Sequence, residues 1–209
     1  MVRQAVRLVE GLTLFVGLPL FFYWEPIRLP KIPCLLILAL YALLVLRLDL
    51  GFEQKRLLRA SALRPFLRAT WPRMLAVLSG LTALAFVLVP GQLFGFPRQR
   101  PGIWLLVMAL YPLLSAYPQE LIFRTFFFRR YESFFGRGAG MVWASALAFA
   151  FLHIIYDNVV AVCLSVLGGW LFALTYRRTG STLAATFEHA IYGCWVFTVG
   201  LGRFFYEGR

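Results

Sequence analysis

Glu120 and Arg124 lie four residues apart in one apolar stretch, and the chain's two histidines, His153 and His189, fall in two later ones. An ionisable side chain inside a membrane span costs about 2.5–3.5 kcal/mol on insertion scales, so each needs a partner or a task. Four residues along a helix return to nearly the same face one turn on, so Glu120 and Arg124 are spaced for an intrahelical ion pair. On its own that pair reads equally as structure or function. The histidines tip the balance. A carboxylate and an imidazole in a water-filled cavity make a general-base pair, and a second imidazole can polarise a carbonyl oxygen. The chemistry would be peptide-bond hydrolysis without a covalent intermediate, with Glu120 and His153 activating water and His189 at the oxyanion.

The elements that must carry these residues can be read from composition. Of 209 residues, 61% are hydrophobic and 14% charged, far fewer charges than the quarter typical of soluble domains. Apolar stretches of bilayer-crossing length recur along the whole chain. The expected fold is all-α, a polytopic transmembrane helical bundle forming one domain over 1–209. About seven spans (six to eight) are predicted, at 5–24, 32–50, 74–95, 102–128, 139–156, 158–176 and 182–203. The first is read as a retained span because no small-residue cleavage site precedes Pro26. With the N-terminus inside, fourteen Lys and Arg fall on the cytoplasmic side and six outside, and Arg124 lies within a span, as the positive-inside rule requires. The net charge of +12 is thus an orienting charge, with no nucleic-acid partner implied.

The basic stretch 53–73 reads as a cytoplasmic loop, or alternatively as an interfacial helix on an anionic leaflet. Cys34, Cys163 and Cys194 suggest neither a disulfide framework nor a metal site. Gly168 and Gly169 suit close helix approach. Phe126, Phe127, Phe128, Tyr131, Trp143, Trp170 and Trp195 are explained by interfacial anchoring or lipid-facing packing; Tyr156, Tyr192 and Trp195 are alternative groove residues. Glu120 lies towards the cytoplasmic end of its predicted span and His153 towards the outer end of the next. The two can meet only if the fourth helix kinks near Pro118 or the limits shift.

Gln119-Glu120-Leu121-Ile122-Phe123-Arg124, then Phe149-Ala150-Phe151-Leu152-His153, then His189, resemble the motifs EExxxR, FxxxH and HxxxN/D of the CAAX protease and bacteriocin-processing family of intramembrane glutamic proteases, the CAAX prenyl protease type 2-like proteins. The resemblance covers about 110–200, the catalytic half. It implies water activation by the first motif glutamate with the FxxxH histidine, and an oxyanion held by the last histidine and its asparagine. Two positions depart: the first glutamate is Gln119, which cannot act as a base, and the fourth residue after His189 is Gly193. Either Glu120 has taken over as base, or the chain binds without cutting.

The expected catalytic set is therefore Glu120, His153 and His189, supported by Gln119, Arg124, Asn158 and Phe149. Arg124 compensates the charge of Glu120. Asn158 is either an amide donor near the site or a helix cap. Two other functions stay open: a catalytically silent binding, immunity or scaffold protein, and a zinc protease using Glu120, His153 and His189 as ligands. No cofactor is otherwise expected. The expected partners are membrane lipids and a membrane-associated protein or peptide substrate. The expected location is a bacterial inner membrane, N-terminus in the cytoplasm.

Overall fold

The structure is a computed structural model describing residues 2–24 and 29–205. Of the basic residues used for orientation, Arg28 and Arg209 lie outside the described residues, as does the side chain of Arg3. Among the described residues, six helices are long and apolar enough to cross a membrane: α1 Gln4–Trp24, α2 Lys31–Leu48, α3 Ala60–Leu88, α4 Pro101–Arg130, α5 Ala139–Tyr156 and α6 Val159–Thr179. A seventh helix, α7 Thr182–Thr198, comes directly after α6 and ends in a 3-10 turn, Leu201–Phe205. There is no strand among the described residues. The chain is an all-helical integral membrane bundle, as its composition demands.

The third span differs from expectation. It starts at Ala60 rather than 74, and within it the α-helix runs Leu63–Leu88 through Pro72. The predicted start rests on the last arginine of the basic stretch. Arg73 instead lies within the helix and turns its guanidinium into the bundle, Nη2 donating to Glu188 at 2.6 Å and to Thr175 at 3.1 Å. The basic stretch therefore divides into two 3-10 turns, Gln54–Arg56 and Ala60–Ala62, and the opening turns of α3. It is neither a simple loop nor a separate surface helix.

The fourth helix does more than kink near Pro118. Two π-helical turns, Pro112–Ala116 and Leu121–Phe126, interrupt its α-helical course. Prolines 112 and 118 lack the N–H that an α-helical ladder needs, and the first π turn begins at Pro112. Each wide turn shifts the angular phase of the residues after it, a distortion common at functional sites. Beyond the second turn, Phe126 and Phe127 are buried. Their predicted lipid or interfacial role is thus corrected: both pack with Tyr131, and Phe127 also packs with Phe15 of α1.

Helices α5 and α6 pack closely because Gly169 has no side chain: a Cβ there would lie 3.2 Å from the Ala146 carbonyl oxygen. At the far end of α4, Arg129 donates two bonds to Asp49, at 2.7 and 2.9 Å. Those bonds hold the Asp49 carboxyl below the usual carboxylate range. Arg130 similarly binds Glu10 of α1 at 2.7 Å. Glu10 is an intramembrane carboxylate missing from the sequence-based set. Both arginines anchor α4 to the first two helices.

Candidate active site

A cavity of about 1170 Å³ opens among the helices; Tyr111, Ser115, Gln119, His153, His189 and Tyr192 contribute polar groups to an otherwise largely apolar lining. Both histidines of the chain therefore face one space. Glu120 and His153, whose depths conflict in the sequence, do not meet: Gln119, just after the first π turn of α4, shares the cavity with His153 instead.

His153 is positioned by the way its helix ends. At Leu152 the α-helix gives way to a 3-10 turn, His153–Tyr156, and the His153 backbone N–H turns to the carbonyls of Ala150 and Phe151. The Phe149 carbonyl is left for the imidazole, whose Nδ1–H donates to it at 2.7 Å. With Nδ1 protonated, Nε2 is the basic nitrogen. The Phe149 ring lies against both imidazoles, its centroid 4.6 Å from that of His153 and 5.5 Å from that of His189. Phenylalanine at this position thus spaces the two histidines.

His189 is held on three sides. Its ring stacks on Phe172, centroids 4.5 Å apart and planes inclined by 13°. Nδ1 donates to Glu120 Oε1 at 2.9 Å, and Nε2 meets the Tyr111 hydroxyl at 3.0 Å. A carboxylate behind one nitrogen fixes the ring and leaves the other for the cavity, an arrangement familiar in carboxylate–histidine pairs.

Glu120 is not where the sequence placed it. It is wholly buried, does not line the cavity, and contacts His189 rather than His153. Its second oxygen is 3.1 Å from Arg124 Nε, with both side chains fully enclosed. The contact is an ion pair without the alignment of a hydrogen bond. Arg124 also donates to Ser145 Oγ at 2.8 Å and lies over the Phe149 ring at 4.9 Å. Charge compensation by Arg124 is thus what the geometry displays. The neighbour, Gln119, faces the cavity instead. Its amide nitrogen donates to Ser115 Oγ at 2.8 Å, while Oε1 is buried and has no partner among the described residues.

Asn158 stands apart from this group. Its Oδ1 accepts from Ala161 N at 2.8 Å as the cap of α6, and Nδ2 donates to the carbonyls of Tyr156 and Phe204. The capping alternative is the one observed. Tyr156 and Tyr192 line the cavity whereas Trp195 does not. Glu188, beside His189, belongs to a separate buried network with Arg73, Thr175 and Tyr192 at 2.6, 2.5 and 3.0 Å.

Glu120, His153 and His189 do not form a metal-holding group, because the Glu120 oxygens are directed at His189 and Arg124. No other cluster of three His, Cys, Asp or Glu that could hold a metal ion occurs among the described residues. Sequence reasoning missed Tyr111 and Ser115. A signal existed, since Tyr111, Ser115 and Gln119 recur every fourth residue, a polar ladder along one face of an apolar helix.

No curated protein and no solved structure matches the chain. Residues 101–195 match a family model described as type II CAAX prenyl endopeptidase Rce1-like. That stretch carries α4, α5, α6 and most of α7, and hence Gln119, Glu120, Arg124, Phe149, His153 and His189. Over residues 101–195, the chain is thus similar to the Rce1-like proteins of the type II CAAX prenyl endopeptidase family.

Proposed function

We propose that this chain is an intramembrane endopeptidase that hydrolyses a peptide bond of a membrane-associated protein or peptide, using an imidazole rather than a carboxylate as the base. The supporting observation is the single cavity shared by both histidines and by the unpartnered Oε1 of Gln119. In this reading a water molecule is held between His153 Nε2 and Gln119 Oε1. It attacks the carbonyl carbon as His153 takes its proton, and the carbonyl electron pair moves onto oxygen, towards His189. The C–N bond then breaks and His153 returns the proton to the leaving amine. Glu120 orients His189 from behind and Arg124 balances its charge. Glu120 is thus a positioning residue.

The largely apolar lining suits a lipid-modified or membrane-inserted chain. The family's description makes a prenylated peptide with a C-terminal CAAX sequence the first substrate to try. The protein would work in a membrane with its N-terminus in the cytoplasm.

A second reading has one observation of its own: no carboxylate lines the cavity among the described residues, and an amide stands at the first motif position. The chain would then bind a membrane peptide without cutting it. One comparison separates the two readings. Purified protein in nanodiscs is given an internally quenched farnesylated CAAX peptide, alongside the Gln119→Glu variant. The peptidase reading predicts cleavage by both, faster in the variant by about tenfold or more, because a well-placed general base contributes about 10²–10⁴-fold. Cleavage by Gln119→Glu alone would favour the binding reading. Cleavage by neither would remove the peptidase reading.

A further inference from the structure

Gly193 and Tyr111 interlock beside His189. A Cβ built on Gly193 would fall 2.3 Å from both the Tyr111 hydroxyl oxygen and Cε1. No side chain fits there unless the phenol leaves. The glycine is therefore the condition for Tyr111 to occupy that space. The ring is held edge-on between His189 and Phe197, with centroid separations of 5.9 and 5.5 Å. Its hydroxyl lies 3.0 Å from His189 Nε2 and borders the cavity. Backbone geometry explains the reach: Tyr111 is the last residue of the α-helical segment Pro101–Tyr111, immediately before the π turn at Pro112.

From this interlock we infer that Tyr111 is a catalytic residue, the hydroxyl donor to the developing oxyanion, in the room that Gly193 leaves open. The role rests on the peptidase reading given above. Glu120, His189 and Tyr111 form one hydrogen-bonded chain from the buried carboxylate to the cavity. With Nδ1–H directed at Glu120, Nε2 accepts from the phenol at rest, and the single phenol proton swings from Nε2 to the substrate oxygen when that oxygen arrives. Negative charge gathering on that oxygen is met by the phenol O–H, with no bond to Tyr111 made or broken. A fixed donor in a water-poor site strengthens its bond as that charge develops, so its effect falls on turnover rather than on binding.

The test uses the full chain in nanodiscs with the farnesylated quenched CAAX peptide. Tyr111→Phe removes only the hydroxyl and should lower kcat by about 10²-fold or more, the loss typical of one oxyanion donor. KM and the thermal unfolding midpoint should stay near the wild-type values. A side-chain amide placed in the vacated room should restore part of the loss: Tyr111→Ala with Gly193→Asn should turn over faster than Tyr111→Ala alone. Wild-type cleavage with unchanged kcat in Tyr111→Phe would overturn the role of Tyr111 and leave the peptidase reading standing. So would a double variant no faster than Tyr111→Ala. A wild type that never cleaves would remove the peptidase reading and this role with it.

Discussion

His153→Ala should lose about 10²–10⁴-fold in peptide cleavage, the contribution of a positioned general base, while remaining folded in the membrane. The expectation of a retained fold comes from what His153 touches. Among the described residues its one hydrogen bond is to the Phe149 carbonyl, and losing it costs roughly 1 kcal/mol net. The ring borders a cavity that already exists, so truncation enlarges that space rather than opening a new void in packed core. Activity and stability are thereby separable at this residue. Cleavage of the quenched peptide, together with the unfolding midpoint of the same preparation, checks both. A variant that keeps near wild-type turnover would rule out His153 as the base.

Glu120→Ala should fail differently, through stability as well as activity. Arg124 would be left fully buried without its counter-charge, and removing one partner of a buried pair typically costs about 3–5 kcal/mol. For a chain of this size that corresponds to an unfolding midpoint lower by roughly 10 °C. The bond to Ser145 Oγ and the Phe149 ring face remain to soften the loss. Replacing both members, Glu120→Leu with Arg124→Met, should recover much of the stability, since a well-packed apolar pair often matches a buried ion pair. Cleavage should stay low in the double variant because His189 has lost the carboxylate that orients it. Full activity in the double variant would show that Glu120 serves only to neutralise Arg124.

The bundle was legible in the sequence because a span declares itself by length and hydropathy, and six of the predicted spans have counterparts with ends shifted by a few residues. The third span is the exception, starting at 60 rather than 74 and ending at 88 rather than 95, and its start is misplaced because Arg73 in the sequence reads as a sign of water. A long guanidinium stem can instead reach a buried carboxylate on another helix, and Glu188, which receives it, gives no hint of its partner. The ionisable residues that matter were also visible, since each is anomalous in an apolar setting. Which of the adjacent Gln119 and Glu120 faces the cavity was not visible. Neighbours on a helix differ by about 100°, and π turns in α4 shift the phase that decides between them. Tyr111 went unread for a related reason. A tyrosine in a span is ordinary, and only its contact across to α7, over Gly193, gives it a role. Glycine there looks like a missing donor in the sequence, whereas in the folded chain it is the space that another donor fills.

The central claim is that His153 presents an unprotonated Nε2 to the cavity and meets the substrate there. With two histidines in the chain, ¹⁵N-histidine labelling gives a spectrum of two imidazoles, and His153→Ala identifies which belongs to His153. The account predicts that His153 is protonated at Nδ1 and bare at Nε2, and that its Nε2 resonance moves when the farnesylated CAAX peptide is added. A His153 ring protonated at Nε2, or one whose resonances ignore a bound peptide, would contradict it.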